Sequence, residues 1–105
     1  MAELRFSPES LLDLQEIRDY ITMELSNPSA AKRTVSGILD NVKILSDFPQ
    51  IGSPLSVVTG FETDYRFLVC GNYMTFYRME NDMVNIIRIL YGRRNFMEIL
   101  FGNLD

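Results

Sequence analysis

The sequence predicts an α+β fold: a short N-terminal strand, an antiparallel helical hairpin, and a three-stranded antiparallel meander forming one sheet packed on the helices. Two stretches of helical apolar spacing follow the pairs Ser7-Pro8 and Asn27-Pro28. Residues 65–91 then alternate with a period of two and are broken by Gly71-Asn72 and Asn81-Asp82. A chain of 105 residues with 47% hydrophobic and 23% charged side chains is long and apolar enough to bury a core.

The N-terminal segment predicts a strand over residues 3–6 and then a helix. Ser7 suits the N-cap and Pro8 the first helical position. The apolar spacing predicts a buried face made of Leu11, Leu14, Ile17, Ile21 and Leu25. The acidic side chains are expected to form a solvated outer face: Glu9, Asp13, Glu16, Asp19 and Glu24.

The second helix begins with the same pair of signals. Asn27 is the expected N-cap, Pro28 the first helical residue, and Phe48-Pro49 the end. Its predicted buried stripe is Ala31, Val35, Ile38, Val42 and Leu45. The short link between the helices predicts a hairpin, and residues 49–62, with two prolines and two glycines, predict a loop-rich connector.

The turns of the meander predict which side chains share a face of the sheet. A two-residue turn at Gly71-Asn72 places residue 66 opposite residue 77. One face then holds Arg66, Leu68, Cys70, Tyr73, Thr75 and Tyr77, and the other holds Phe67, Val69, Met74 and Phe76. The turn at 81–82 adds Ile86, Arg88 and Leu90 to the first face and Ile87 and Ile89 to the second. We expect the second, more apolar face to pack on the helices, and Arg88 to be structural.

Composition excludes several classes of function. There is no histidine and the only cysteine is Cys70, so we expect no zinc site, no disulfide framework and no cofactor. The net charge of −4 is unfavourable for a nucleic-acid binder, although five of the eight arginines fall within residues 65–96. Neither a signal-peptide run nor a membrane span is present, which predicts a cytoplasmic protein.

Several segments together resemble the RelE/ParE superfamily of toxins from type II toxin–antitoxin modules. They are RFSPES with DLQEIRDYI, LSDFPQIGSP, and YRFLVCGNYMTFYRMENDMVNIIRILYGRRNF with the short tail. The resemblance covers nearly the whole chain. It implies that residues 1–105 form a single RelE/ParE-like toxin domain that inhibits growth, serves plasmid stabilisation, and is neutralised by a cognate antitoxin. It leaves the oligomeric state open.

The resemblance leaves three functions open. RelE-like members enter the ribosome and cut mRNA, which implies a metal-independent endoribonuclease whose partners are the ribosome and mRNA. ParE-like members bind DNA gyrase and have no recognised nuclease chemistry. A decayed toxin would bind only its antitoxin. The breadth of mRNA cleavage in the superfamily slightly favours the first function, whereas the acidity and the absence of lysine from residues 44–62 favour the second.

The same resemblance implies the candidate catalytic residues. Arg66 matches the family's strand arginine, Arg94 in GRRN matches the arginine after the last strand, and Arg93 is its basic neighbour. Tyr91 replaces a common histidine, and Tyr77 is a further candidate because it lies beside Arg66. Paired guanidinium hydrogen bonds suit a phosphate, so Arg66 and Arg94 are the predicted cations of the active surface. The C-terminal tyrosine of the nuclease subgroup has no counterpart in residues 97–105.

Overall fold

The computed structural model describes residues 2–102. Met1 and residues 103–105, the end of the tail considered above, lie outside the described residues. The strands are β1 Glu3–Phe6, β2 Ser53–Pro54, β3 Arg66–Cys70, β4 Tyr73–Glu80 and β5 Met83–Tyr91. The helices are α1 Pro8–Met23, α2 Pro28–Ile44, α3 Ser56–Thr59 and α4 Phe96–Phe101. No helix within residues 2–102 has the length and apolar character needed to cross a bilayer.

Both long helices begin where their caps predict. The Ser7 hydroxyl accepts a hydrogen bond from the Ser10 amide at 3.0 Å, and the Asn27 side chain accepts one from the Ala30 amide at 3.1 Å. Each cap satisfies an amide that has no partner within its own helix. The following prolines occupy positions where no amide donor is needed. The two helices also pack on each other, so the predicted helical hairpin is confirmed.

The sheet has five strands in the order β1-β5-β4-β3-β2. Strand β1 pairs parallel to β5, and every other pair is antiparallel. The register predicted from Gly71-Asn72 is confirmed, because Cys70 pairs with Tyr73 and Arg66 with Tyr77. The strand that the sequence did not predict is β2, two residues of the connector that pair with the start of β3. Its brevity and its proline are typical of a sheet edge.

The assignment of the two sheet faces was wrong and is reversed in the structure. The helical hairpin packs on the face that carries Leu68, Cys70, Tyr73 and Tyr77. The face that carries Phe67, Met74 and Phe76 turns away from the hairpin and packs against Leu55, Tyr65 and α4. Val69, on the same face, is exposed. A period of two predicts which residues lie together but not which element covers them.

Helix α4 covers the second face of the sheet, which is why apolar content did not predict the face that packs on the helical hairpin. The Phe96 ring stacks on Phe76 with centroids 5.3 Å apart, and Phe101 meets Tyr65 edge to face at 5.5 Å. The tail therefore packs on the body of the protein, one of the two outcomes that its apolar residues allowed. Because both faces of the sheet are covered, both need apolar side chains, and the contrast between the faces is small.

A bulge in β5 changes the predicted register beyond Ile86. Tyr77 pairs with Ile86 as predicted, but Phe76 pairs with Arg88, so Ile87 is an extra residue. Three later residues consequently exchange faces relative to the prediction, and the first is Arg88, which pairs with Phe76 instead of lying on the face that carries Tyr77. Ile89 joins the cluster under the helical hairpin, and Leu90 joins the cluster under α4.

The buried side of α1 is also rotated from the predicted face. Leu11 and Leu25 were expected in the core but are 53% and 57% exposed. Asp13 was expected in solvent but is only 4% exposed. The buried residues of this helix are Ser10, Asp13, Leu14, Ile17 and Ile21. The stripe of α2 follows the prediction more closely, since Ala31, Ile38, Val42 and Leu45 are buried and Val35 packs against the core.

The start of α1 takes over from β1 as the partner of β5. Strand β1 ends at Phe6, opposite Ile86. The Ser7 amide then donates to the Ile86 carbonyl at 2.9 Å, and the Ser7 hydroxyl donates to the Ile87 carbonyl at 2.6 Å. The polar backbone groups of the bulge are thus satisfied by the residue that also caps α1.

Asp13, on α1, supplies the next hydrogen-bond acceptor along the same edge of β5. Its carboxylate accepts a hydrogen bond from the Ile89 amide at 2.9 Å. It also accepts two from the Arg88 guanidinium, at 2.7 and 2.8 Å. This paired contact, together with the carboxylates of Glu9 and Glu16 nearby, raises the pKa of Arg88. Arg88 therefore has the structural role expected of it, with a partner that the sequence did not identify.

Replacing Asp13 with alanine should lower the free energy of unfolding by about 2–4 kcal/mol, because it leaves a partly buried guanidinium and a buried amide without an acceptor. Urea denaturation of the purified variant measures the change. The control is Asp19→Ala, which removes an exposed carboxylate 3.6 Å from Arg18 and should cost less than about 0.5 kcal/mol. Equal costs for the two variants would contradict the role given to Asp13.

Candidate functional site

Arg66 and Tyr77 lie side by side, as the register predicted, but both are turned towards the loop before β2. The Arg66 guanidinium donates to the Gly52 carbonyl at 2.7 Å and to the Gln50 carbonyl at 3.3 Å. The Tyr77 hydroxyl donates to the Pro49 carbonyl at 2.8 Å and accepts from the Gly52 amide at 3.0 Å. We call Arg66, Tyr77 and the loop residues 49–52 the loop clamp.

Tyr77 is enclosed within the loop clamp. Its side chain is fully buried, and this burial raises the pKa of its hydroxyl, against the lowering effects of the Gly52 amide and the nearby Arg66. Gly52 has no room for a side chain, because a Cβ there would lie 2.5 Å from the Tyr77 hydroxyl and 2.8 Å from the Phe67 carbonyl oxygen. The phenol is therefore occupied by backbone groups rather than presented to a substrate.

The other three candidate residues lie at the opposite end of the meander. Tyr91 pairs with Tyr73, and the two rings meet edge to face at 5.8 Å. A tight turn follows, in which the Arg94 amide donates to the Tyr91 carbonyl at 2.9 Å. The side chains of Arg93 and Arg94 are exposed, and they border two different depressions.

The structure does not bring the two predicted cations together. Arg66 begins β3, whereas Arg94 follows the row in which Cys70, Tyr73 and Tyr91 are paired. Four residues of extended chain separate Arg66 from this row, a distance of about 13 Å. In this arrangement the Arg66 guanidinium is bonded to loop carbonyls, and Arg94 lies exposed at the other end of the meander.

A groove opens between α1 and the end of the sheet that carries Tyr91. It has a volume of about 530 Å³. We call it the tyrosine groove, and the residues that define it are Glu16, Tyr20, Leu25, Tyr73, Tyr91 and Arg94. Burial raises the pKa of the Tyr73 hydroxyl, and the phenols of Tyr20 and Tyr91 raise it further.

Tyr91 and Arg94, which were predicted as candidate catalytic residues, line this groove, and so do Tyr20 and Glu16, which were not among the candidates. The signal was their spacing: Glu9, Asp13, Glu16 and Tyr20 follow at intervals of four, three and four residues. Such intervals place four side chains on one side of a helix. The spacing therefore predicts that Tyr20 shares the side of α1 that carries Asp13 and Glu16.

No group of three or more metal-ligating side chains is assembled anywhere in residues 2–102. The ionisable groups that are packed together serve structural contacts: Asp13 holds Arg88, and Arg78 lies over the Tyr65 ring at 5.2 Å with Asp64 and Glu80 as ionic neighbours. The exposed functional groups of the candidate residues are therefore guanidinium and phenol groups.

The family model described as "ParE toxin of type II toxin-antitoxin system, parDE" matches residues 4–96. The chain belongs to this ParE toxin family. A ParE toxin is one component of a toxin–antitoxin module, and its partner is the antitoxin of that module. A search of curated protein sequences finds no match.

A solved structure supports the fold of this ParE toxin. The chain resembles one from the "Chromosomal ParDE TA system from P. aeruginosa", with a TM-score of 0.70 and 24% sequence identity. The alignment covers 85% of the present chain and 94% of the other. At this level of identity the likeness concerns the α+β fold, in which helices pack on a sheet.

The loop clamp of this ParE toxin predicts a sharp difference between two glycines. Gly52→Ala should lower the free energy of unfolding by about 2 kcal/mol or more, since the added methyl group must displace Tyr77 or a strand carbonyl. Gly37→Ala in α2 should be neutral or stabilising, by up to about 1 kcal/mol, because its Cβ would lie 3.5 Å from the Cys70 sulfur.

Thermal and urea denaturation of the two variants provide the test. A Gly52→Ala protein as stable as the parent would mean that the loop accommodates a side chain, and that the hydrogen bonds of Tyr77 do not fix it.

Proposed function

We propose that this ParE toxin arrests growth by binding DNA gyrase as a protein inhibitor and that it does not cleave RNA. The observation that carries the proposal is the loop clamp. Cleavage at a phosphate needs cations and a proton acceptor that converge on one group. Here Arg66 and Tyr77 are engaged with loop carbonyls, and Arg94 lies at the far end of the meander.

Charge supports the same proposal. A protein that works among RNA phosphates gains affinity from lysine and arginine, which displace counterions. This chain has a net charge of −4, and the loop after α2, where RelE-like nucleases usually carry lysines, has none. Membership of the ParE branch adds to this, because the resemblance implies gyrase binding for that branch and mRNA cleavage for the RelE branch.

The first test is induction of the toxin without its antitoxin. We expect DNA synthesis to fall before protein synthesis, and purified gyrase to lose supercoiling activity when the toxin is added. Primer extension on translated mRNA should show no new ends. Cuts within codons, with gyrase activity unchanged, would refute the proposal and favour a ribosome-dependent nuclease.

Alanine variants of Arg66 and Arg94 should distinguish an effect on stability from an effect on target binding. Arg66→Ala removes two hydrogen bonds to the loop, so it should lower the free energy of unfolding by about 1–2 kcal/mol, with activity falling as the folded fraction falls. Arg94→Ala removes an exposed side chain and should leave stability within about 0.5 kcal/mol while weakening target binding. Urea denaturation and binding to gyrase measure the two effects.

The nuclease prediction requires a different pattern. If either variant abolished mRNA cleavage by the folded protein, the guanidinium groups would be acting on phosphate, and the inhibitor proposal would fail.

A further inference from the structure

Strand β1 lies at one end of the sheet, and its outer edge is unpaired. The Ser7 amide, directly after the strand, donates to the Ile86 carbonyl of β5. Because the backbone groups of successive strand residues point to alternate edges, Leu4 and Phe6 direct their amides and carbonyls away from β5. Within residues 2–102, none of these four groups has a hydrogen-bond partner. They are therefore available to a strand from another chain.

The opening along β1 has a defined length. Before it, the Ala2 amide donates to the Ser46 carbonyl at 2.8 Å, and the Ser46 hydroxyl donates to the Ala2 carbonyl at 2.9 Å. After it, α1 begins at Pro8. The unpaired groups lie on Leu4 and Phe6, which span three residues of strand, about 10 Å. Their spacing is that of a sheet edge, so a short extended segment can pair with them.

The loop clamp uses backbone groups at the opposite edge of the sheet. Directly before β2, the Gly52 amide donates to the Tyr77 hydroxyl, and the Gly52 carbonyl accepts from the Arg66 guanidinium. Pro54 has no amide hydrogen. On β3 beyond β2, Val69 is the residue whose amide and carbonyl point outwards. Of the two edges, β1 therefore offers the longer run of unpaired groups.

The side chains of β1 indicate what an added strand must carry. Leu4 and Phe6 are partly buried against the cluster under the helical hairpin. Glu3 and Arg5 point to the other face and are exposed. In the part of the chain that the structure describes, no carboxylate lies within 4 Å of the Arg5 guanidinium. A complementary strand therefore has apolar side chains on one face and an acidic side chain opposite Arg5.

A second copy of β1 is not complementary to this edge. An antiparallel pair that uses all the unpaired groups sets Leu4 against Phe6 of the copy, and it also sets Arg5 against Arg5, where like charges repel. The register that sets Leu4 against Leu4 brings Phe6 opposite Ala2, whose amide and carbonyl are bonded to Ser46. The occupant is therefore a different chain, and family membership gives this toxin an antitoxin as its partner.

We propose that an extended segment of the antitoxin adds to β1 as a further strand of the sheet. Its apolar side chains lie beside Leu4 and Phe6, and its carboxylate lies opposite Arg5. Main-chain hydrogen bonds supply affinity in such additions, and side-chain pairs fix the register. The inference does not depend on gyrase as the target, because it concerns the toxin and the antitoxin alone.

Amide hydrogen exchange of isotope-labelled toxin, followed by nuclear magnetic resonance, tests the position of the added strand. Exchange is measured for the free toxin and for its complex with unlabelled antitoxin, together with nuclear Overhauser effects between backbone protons of the two chains. Arg5, whose amide faces β5, is the internal control for Leu4 and Phe6. Val69 reports on the opposite edge.

We expect the Leu4 and Phe6 amides of the free toxin to exchange at least about tenfold faster than the Arg5 amide. The antitoxin should slow both by about a hundredfold or more, and interchain backbone contacts should appear along β1. A complex in which the two amides exchange as they do in the free toxin would overturn the inference. Protection without interchain backbone contacts would overturn it too, since a helix or loop would then cover the edge, and so would protection of Val69 alone.

A charge reversal tests the register. Arg5→Glu should weaken antitoxin binding about three- to tenfold, because it sets two carboxylates against each other. The control Arg33→Glu makes the same change in net charge at an exposed position of α2 and should stay within about twofold. Both variants should keep the melting temperature of the wild type. Equal weakening by the two variants, or weaker gyrase binding with antitoxin binding intact, would overturn the assignment of this edge to the antitoxin.

Discussion

The contact between Asp13 and the bulge of β5 is the interaction on which the arrangement of helices and sheet depends. Strand β1 has four residues and pairs with only the first part of β5. Beyond Ile86 the edge of β5 would be open, and an open edge leaves amides and carbonyls without partners. Ser7 and Asp13 supply those partners from α1, and Arg88 neutralises the buried carboxylate. A helix thus completes an edge that a strand begins.

The same contact creates the tyrosine groove. Asp13 fixes α1 at Ile89, and the next two turns of the helix place Glu16 and Tyr20 beside the end of β5. Tyr91 lies two residues beyond Ile89, on the same side of the strand. The position of one wall of the groove therefore depends on where α1 is held against β5, and the position of the other depends on the bulge in β5. Asp13, which the sequence predicted to be solvated, thus determines through its buried contacts how an exposed surface is presented.

Local signals predicted most of the fold, because caps, prolines and two-residue turns act through neighbouring atoms. Ser7, Asn27 and Gly71 fix the ends of the helices and the register of the first hairpin without reference to the rest of the chain. What could not be predicted depends on contacts between distant residues. The burial of Asp13 requires Arg88, which is 75 residues away, and the bulge at Ile87 requires the start of α1 beside it.

The same distinction between local signals and distant contacts applies to the candidate site residues. The resemblance to the superfamily placed Arg66, Tyr77, Tyr91, Arg93 and Arg94 at recognisable positions, but a position does not determine what a side chain contacts. Arg66 is turned towards the loop at residues 50–52, where its guanidinium group donates hydrogen bonds to two carbonyl oxygens. Arg94 follows a tight turn that exposes it, so it stays available to a partner. The contacts of each arginine therefore depend on the backbone around it, which the sequence motif alone does not specify.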